Sequence, residues 1–369
     1  MFNFNRKKYT QKVWVGVSGG VDSAVTLGIL KKEGYDVVGV FMNTWAPDWL
    51  DCPIGDERRD AIRVCAHFDV PFLEFDAIDA YREKVGEYMI EEYRKGRTPN
   101  PDVMCNREVK FGVFYDEARK NNALVATGHY AGIQKKKGKF NMLKGRDISK
   151  DQSYFLWTLS QEKLSHTLFP LGKYKKTHTR KLAKKWNIPV ADKKDSQGVC
   201  FLGHIDIKKF LGHYIEEKRG DVLSLSGEII GFHDGSRSLT LEQRHGFTIA
   251  KKSPHDEPYY IVSKDLKKNT ITIAHKKEIE DMSHPQNVYI TDVNWCNRIP
   301  TEESLYACQI RYHGREFECF ISLEKEKTFS HIYEDVYRVK FSENAPLISS
   351  GQSIVVYDKK ICMGGGIVI

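Results

Sequence analysis

No apolar run in this 369-residue chain approaches the ~20 residues that a bilayer-spanning helix needs. The opening stretch, "MFNFNRKKYTQKVWV", is basic but has no apolar segment ahead of a small-residue cleavage site, so it does not read as an export signal. A cytoplasmic location without a membrane partner is expected. The eight cysteines, at 52, 65, 105, 200, 296, 308, 319 and 362, therefore do not read as a disulfide framework. C-x-x-C pairs are missing too: the two nearest cysteines, Cys308 and Cys319, stand eleven positions apart, which removes the zinc-knuckle reading and leaves no metal site to name. Most thiols are expected as small buried hydrophobes, among them Cys65 in "DAIRVCAHF" and Cys308 in "LYACQIRY". Internal repeats and low-complexity tracts are also lacking.

One further absence narrows the chemistry. The stretch "KVWVGVSGGVDSAVTLGIL", Lys12 to Leu30, begins as an apolar strand, breaks at Ser18-Gly19-Gly20 and resumes with helical spacing. Such a break gathers backbone N–H groups, a hydroxyl and the positive end of a helix dipole around one concavity, which suits an anion. The P-loop of nucleotide hydrolases requires Gly-x-x-x-x-Gly-Lys-Ser/Thr, whose lysine reaches the outer phosphates. This turn has no lysine.

The length implies two or three domains. Strand-like "VWVGV", "DVVGVFM", "PFLEFD" and "ALVATGH" alternate with helical patterns at Val21–Glu33, Glu57–Phe68, Ala80–Arg94 and Val109–Lys120, which predicts an α/β doubly wound parallel sheet. In such sheets ligands lie beyond the carboxyl ends of the strands, where Ser18, Met42, Asn43, Gly128 and His129 fall. From about Gly212 the pattern changes to glycine turns and short strands. The alternating runs "LYACQIRYHG", "EFECFISL", "DVYRVKF" and "SIVVYDKKICMGGGIVI" predict a closing antiparallel β-barrel.

The net charge of +8 leans toward a polyanionic partner. Lys135-Lys136-Lys137-Gly138-Lys139 reads as a basic hairpin tip, and "GKYKKTHTRKLAKKW" places Lys176, Arg180, Lys181, Lys184 and Lys185 on a helix. Each cluster reads equally well as a solvated face. Two cysteines do not fit a core role. Cys105 lies in "GRTPNPDVMCNREVKF", where Pro99, Asn100 and Pro101 predict a loop with the next helix starting near Glu108. Cys200 lies in the polar stretch "ADKKDSQGVCFLGH". Loops near helix starts and basic groups lower a thiol's pKa and make it reactive.

These segments together carry a resemblance. "GVSGGVDSA" resembles the PP-loop of ATP pyrophosphatases, the adenine nucleotide alpha hydrolase-like group. "TPNPDVMCNREVKF", "TGHYA", "KDQSYFLWTLS", "KKDSQGVCFLG" and "SGQSIVVYDKKICMGGGIV" are similar, in order, to segments of the tRNA-specific 2-thiouridylases. The resemblance runs from Val13 to Ile369 and implies a PP-loop catalytic domain at 1–212, a central tRNA-contacting domain at 213–281 and a C-terminal barrel at 282–369. It implies that ATP, with Mg²⁺, adenylates C2 of the wobble uridine (position 34) of tRNA, and that sulfur from a cysteine persulfide then displaces AMP. Adenylation makes a poor leaving oxygen a good one, and the bond cut lies at the α-phosphate, so a lysine for the γ-phosphate is not needed.

By motif match, the resemblance assigns ATP to Gly16, Val17, Ser18, Gly19, Gly20, Val21, Asp22 and Ser23, with Met42 and Gly128 at the adenine and ribose side. Cys200 would carry the persulfide, its anion favoured by Lys193 and Lys194. Cys105 would attack that persulfide to free hydrosulfide, or resolve the spent site as a disulfide. Asp102 resembles the family's acid/base residue. Asn100, Pro101, Asp102, His129, Lys150, Asp151, Gln152, Arg311, Tyr312 and Gln352 match tRNA-contact positions. The implied partners are tRNA of the Lys, Glu and Gln isoacceptors and a persulfide donor such as a cysteine desulfurase or a sulfur-carrier protein.

Bland readings stand beside these: Asp22 as a helix-start carboxylate, His129 as a strand-end histidine, Asp102 as a turn former. One segment departs from the family pattern. In "SLTLEQRHGFTI", Leu241-Glu242 replaces Ile-Gly and His245 replaces a lysine, and a carboxylate near RNA is unfavourable. A PP-loop amide-forming ligase and a noncatalytic tRNA-binding protein are the competing functions; neither needs two reactive cysteines. An iron–sulfur cluster on Cys105, Cys200 and a third ligand is another use of the pair.

Overall fold

The computed structural model describes residues 10–50, 54–195, 198, 200, 206–250, 257–282, 286–324 and 335–369. Its first sheet holds β1 (Lys12–Gly16), β2 (Asp36–Asn43), β3 (Phe72–Asp76), β4 (Leu124–Ala126) and, after a hairpin of β5 (Ala131–Lys136) and β6 (Lys139–Lys144), the short β7 (Thr167–Leu168). The order is β3-β2-β1-β4-β7, parallel throughout. Both faces of β1 are covered. Trp14 packs into a cluster with Tyr81, Phe111 and Phe114, whereas Val13 and Val15 pack with Leu27, Phe41 and Cys65. A central parallel strand buried on both sides must be apolar at every position, which is why "VWVG" shows no alternation.

The chain steps one way from β1 to β2 and β3, then returns to the other side of β1 with β4. This reversal opens a crevice beyond the carboxyl ends of β1 and β4. Helix α1 (Val21–Glu33) starts there and stops at Gly34, whose φ of 96° closes the helix. Gly128 lies at the same point: a Cβ on it would stand 2.9 Å from the Ser23 nitrogen and 3.0 Å from the Asp22 carbonyl carbon. Only glycine lets the end of β4 approach the first turn of α1 so closely.

Helix α2 (Ile54–His67) lies between β2 and β3, and a helical stretch over 78–94 follows β3. The next helical stretch, 101–120, corrects the expectation of a loop around Cys105. Pro101 stands at its first position, where a missing N–H costs nothing, and Asn100 Oδ1 accepts from the Val103 N–H at 3.3 Å. From Cys105 to Val113 the hydrogen bonding is π-helical, ending in a kink at Phe111 and Gly112. Such wide turns are rare and concentrate at functional sites.

After α3 (Lys176–Lys185) and the short α4 (Ile207–Gly212), a sheet of β8 (Gly220–Leu223), β9 (Ile229–His233), β10 (Phe247–Ile249), β11 (Tyr259–Asp265) and β12 (Thr270–His275) forms the central unit. Strands β13 (Asn287–Trp295), β14 (Tyr306–Gln309), β15 (Glu316–Leu323), β16 (Tyr337–Phe341), β17 (Ser353–Asp358) and β18 (Ile361–Val368) then form an antiparallel barrel, closed by β13 pairing with β18. The fold is therefore a doubly wound parallel sheet followed by a central unit and a barrel. One feature escaped the sequence: β6 also pairs with β18, through Leu143–Ile361 and Met142–Cys362, so the β5–β6 hairpin extends the barrel sheet.

Residues 94–98, just ahead of Asn100, are held from two sides. Lys264 Nζ donates to the Gly96 carbonyl at 3.0 Å, and the Thr98 N–H donates to the Ser350 carbonyl at 2.8 Å. The central unit and the barrel thus fix the entry to the cysteine helix. Among the described residues, no helix is long and apolar enough to cross a membrane.

Candidate active site

The glycine turn forms as the sequence predicts. Gly19 takes φ of +69°, and Gly20 caps α1 with extended backbone. Ser23 Oγ accepts from the Ser18 N–H at 3.2 Å and donates to the Gly20 carbonyl at 3.1 Å, so the hydroxyl braces the loop from inside. Met42 is buried beside Gly16, with its Cε 3.1 Å from where a Cβ would lie.

Asp22 is more than a helix-start carboxylate. Its Oδ1 accepts from Tyr130 Oη at 2.9 Å, and its two oxygens accept from Lys176 Nζ at 2.8 and 2.7 Å. Lys176 comes from α3 and was grouped in the sequence with a solvated basic helix. The structure corrects that: it bridges Asp22 and Asp195, the latter at 2.7 Å. An ammonium from 154 positions later thus stands against the first turn of α1. Arg180 also pairs with Asp195, and Lys150 Nζ lies 3.4 Å from it. Burial pushes the Asp195 carboxyl up, but Lys176 and Arg180 outweigh it and hold the group below the usual range.

Asp195 is five residues from Cys200 along the same loop. There the structure brings the two expected thiols together: the Cys105 and Cys200 sulfurs are 3.5 Å apart. A disulfide needs about 2.05 Å, so the pair is within reach of bonding when an oxidised sulfur on one of the two supplies the electron acceptor. The Cys200 N–H donates to Asp102 Oδ1 at 2.9 Å, and Tyr81 Oη donates to the Cys200 carbonyl at 2.6 Å. Cys105 is fully buried and its thiol is pushed well up by burial; its S–H donates to Cys200, whose thiol is lowered chiefly by that hydrogen bond, against burial, with help from Lys110. The cation near Cys200 is thus Lys110 and not the expected Lys193 and Lys194. Lys193 pairs with Asp60 at 2.9 Å, and Lys194 is exposed. Burial also raises the Asp102 carboxyl.

The remaining expected residues divide. Asn100 opens the cysteine helix. Tyr312 packs tilted against Phe155 at 4.4 Å between ring centroids and lies near enough to Asp102 to feel its charge, which places aromatic surface from the barrel beside the cysteine pocket. Gln352 Oε1 is a buried acceptor with no donor among the described residues. Arg311 is already engaged, with Glu242 at 2.7 Å and the Leu241 carbonyl at 3.1 Å. Asp151 turns inward onto the Gly145 N–H at 2.8 Å and onto Ser153, and Gln152 Oε1 accepts from the Tyr130 N–H at 3.0 Å. These two brace the loop. His129 is buried near Phe111 and Phe169, bonds Thr127 Oγ1 at 2.7 Å, and is driven to its neutral form first by burial and then by Lys110. Ser196, Gln197, Val199 and residues 201–205 of the Cys200 motif lie outside the described residues. Among those described, no three His, Cys, Asp or Glu side chains gather as a metal site.

Two family models of a tRNA methyl transferase, its HUP domain and its PRC-barrel domain, match residues 11–204 and 208–275, and an aminomethyltransferase beta-barrel model matches 285–368. The tRNA-specific 2-thiouridylase MnmA of Nitrosomonas europaea is 38% identical over 367 residues, covering 97% of this chain and 98% of its own. That of Listeria monocytogenes is 38% identical, covering 96% and 94%. The chain belongs to the tRNA-specific 2-thiouridylase family. Among solved structures, the U34-tRNA thiolase NcsA from Methanococcus maripaludis aligns with 57% of this chain and 66% of its own at 15% identity and a TM-score of 0.36, a likeness too distant to bear on function. The methyl transferase wording of the models and the thiouridylase name of the relatives imply different chemistry. Two facing thiols beside an anion cradle suit sulfur transfer.

Proposed function

We propose that the protein is a tRNA-uridine 2-sulfurtransferase that adenylates C2 of the wobble uridine at position 34 with ATP and replaces that oxygen by sulfur from a Cys200 persulfide. The observation that carries this is the 3.5 Å approach of Cys105 and Cys200, with Asp102 on the Cys200 N–H. The uridine C2 oxygen attacks the α-phosphorus and pyrophosphate leaves. The N–H groups of residues 19–23 and Lys176 receive its charge. Met42 and Gly128 border the adenosine, and Gly16 and Val17 lead the strand into the turn. Mg²⁺ would shield the phosphates, and the nucleotide rather than the protein would hold it, because both Asp22 oxygens already face Lys176 and Tyr130.

Sulfur then bonds C2, and the original oxygen departs with AMP. The sulfur arrives by one of two routes with the same balance. In one, Cys105 attacks the inner sulfur of the persulfide as its thiol gives up its proton and frees hydrosulfide, which attacks C2. In the other, the persulfide attacks C2 first and Cys105 then cleaves the S–S bond to release the thiolated base. Both end in a Cys105–Cys200 disulfide, the two thiols having supplied the electron pair that reduces the transferred sulfur, and a thiol reductant resets the site. Asp102 handles the proton on the base.

The flipped base costs a few kcal/mol to extrude, offset by phosphate contacts elsewhere. Asn100, Pro101, Tyr312 and Gln352 line its entry; Lys150, Asp151, Gln152, Arg311 and His129 bind tRNA or support the loops that do. The three units, 1–212, 213–281 and 282–369, divide the work into catalysis, docking and closure over the base. The partners are tRNA of the Lys, Glu and Gln isoacceptors and a cysteine desulfurase or sulfur-carrier persulfide donor. Incubation of the protein with ATP, unmodified tRNA and a persulfide source without oxygen, followed by nucleoside mass spectrometry, tests the reading. An oxygen-to-sulfur mass change confined to the wobble uridine is expected. Pyrophosphate release with an unchanged base, or thiolation retained in both Cys105→Ser and Cys200→Ser, overturns it.

A further inference from the structure

We propose that Lys110 is the positioning cation that keeps Cys200, and not Cys105, as the thiolate of the pair. The proposal deepens the sulfur-transfer reading and rests on it for its purpose, though not for its test. Lys110 lies five positions after Cys105 within the π-helical run Cys105–Val113. In an ordinary α-helix the residue at i+5 is rotated away from i, about 500° on at 100° per residue. Hydrogen bonding from i to i+5 instead stacks the two positions on one side. The wide turn thus brings the ammonium under the sulfur pair, where it hydrogen-bonds Cys200.

The groups around Cys200 favour a negative charge on its sulfur. From the cysteine helix come the Cys105 thiol, which donates to it, Lys110, and Asp102, whose Oδ1 is occupied by the Cys200 N–H. His129, just past the end of β4, lies within reach of Lys110 rather than of Cys200, and is held neutral. From helix 78–94 comes the Tyr81 hydroxyl, which is spent on the Cys200 carbonyl. Of these only Lys110 is a cation. Burial pushes Asp102 and Cys105 toward their protonated forms, whereas Cys200 is drawn down to about 7. The Lys110 charge therefore favours an anion on the thiol that stands half-buried at the loop over one on the thiol sealed in the helix.

The test needs neither ATP nor tRNA. The reduced full-length protein is treated with iodoacetamide across a pH series, and alkylation is mapped by peptide mass. Wild-type Cys200 is expected to react first, with a midpoint near 7, and Cys105 to stay protected. Lys110→Met is expected to move the Cys200 midpoint up by about one unit or more and to slow alkylation at neutral pH about tenfold, whereas Lys110→Arg restores much of the wild-type profile. A merely structural lysine would alter the melting curve without moving this midpoint. A wild-type midpoint at the ordinary thiol value, or a folded Lys110→Met with an unchanged profile, overturns the proposal. If Lys110→Met does not fold, Lys110→Gln is read in its place, and a wild-type midpoint at the ordinary thiol value overturns the proposal whatever the variants do. Failure of thiolation with a Cys200 midpoint near 7 would sink the functional reading and leave this one standing.

Discussion

Glu242 sits where the chain departs from its family's pattern, and its geometry gives a quantitative prediction. Its φ is +64°, a left-handed backbone that costs a non-glycine residue about 1–2 kcal/mol. Its carboxylate pairs with Arg311 at 2.7 Å, with the two side chains 31% and 33% exposed. A pair that wet contributes about 0–1 kcal/mol. Glu242→Gly removes both the strain and the ion pair and adds about 0.5–1 kcal/mol of glycine entropy, so folding stability should change by no more than about 1.5 kcal/mol in either direction. Binding should respond differently. Arg311 is freed, and a carboxylate leaves the face that meets phosphate. One cation gained corresponds to about fivefold tighter tRNA binding at low salt and a slope of log affinity against log salt steeper by about 0.7–0.9. Fluorescence anisotropy with unmodified tRNA at several salt concentrations measures both. Glu242→Gln should tighten binding to a similar degree while keeping the backbone strain, and Arg311→Met should abolish the gain from either. Equal affinity and equal slope in Glu242→Gln and wild type would refute the idea that Glu242 masks Arg311.

Lys176→Met should weaken ATP binding, seen as a rise in KM for ATP in pyrophosphate release about tenfold or more, because it removes a charge-assisted contact at the anion cradle; an unchanged KM would remove Lys176 from the nucleotide site. Gly128→Ala forces a methyl to 2.9 Å from the Ser23 nitrogen and should cost about 1–3 kcal/mol of stability in denaturant unfolding, with loss of nucleotide binding; normal stability would show that the loop yields freely. Cys105→Ala removes the S–H donor that lowers Cys200. Because a lowered thiol is anionic above its folded pKa, the pH at which Cys200 becomes alkylatable should rise toward the usual thiol value, and an unmoved profile would assign the lowering to other groups.

Local signals made much of this legible. The apolar strand, the glycine break and the start and stop of α1 at Val21 and Glu33 are set by neighbours in sequence. The sequence predicts a loop around Cys105 because Pro99 and Pro101 read as breakers, although Pro101 occupies the first helical position, which tolerates proline. Lys110 was hidden by its spacing, since a search at 3.6-residue periodicity does not place i+5 beside i. Lys176 was visible only as one of many basic residues; its role depends on Asp22 and Asp195, which the fold brings to it. Glu242 was noticed as unusual, but its pairing with Arg311 spans two units and is invisible in either segment alone.

The β5–β6 hairpin has a further consequence through its bond to β18. Met142 meets Cys362 across more than two hundred residues of intervening chain, so two strands made early wait for one made late. Contacts of such sequence separation are slow to form. Once made, they leave no seam along which the barrel can open independently of the residues that follow β4. Thermal melting of these two parts is expected as a single cooperative event, because a sheet that both halves share joins them.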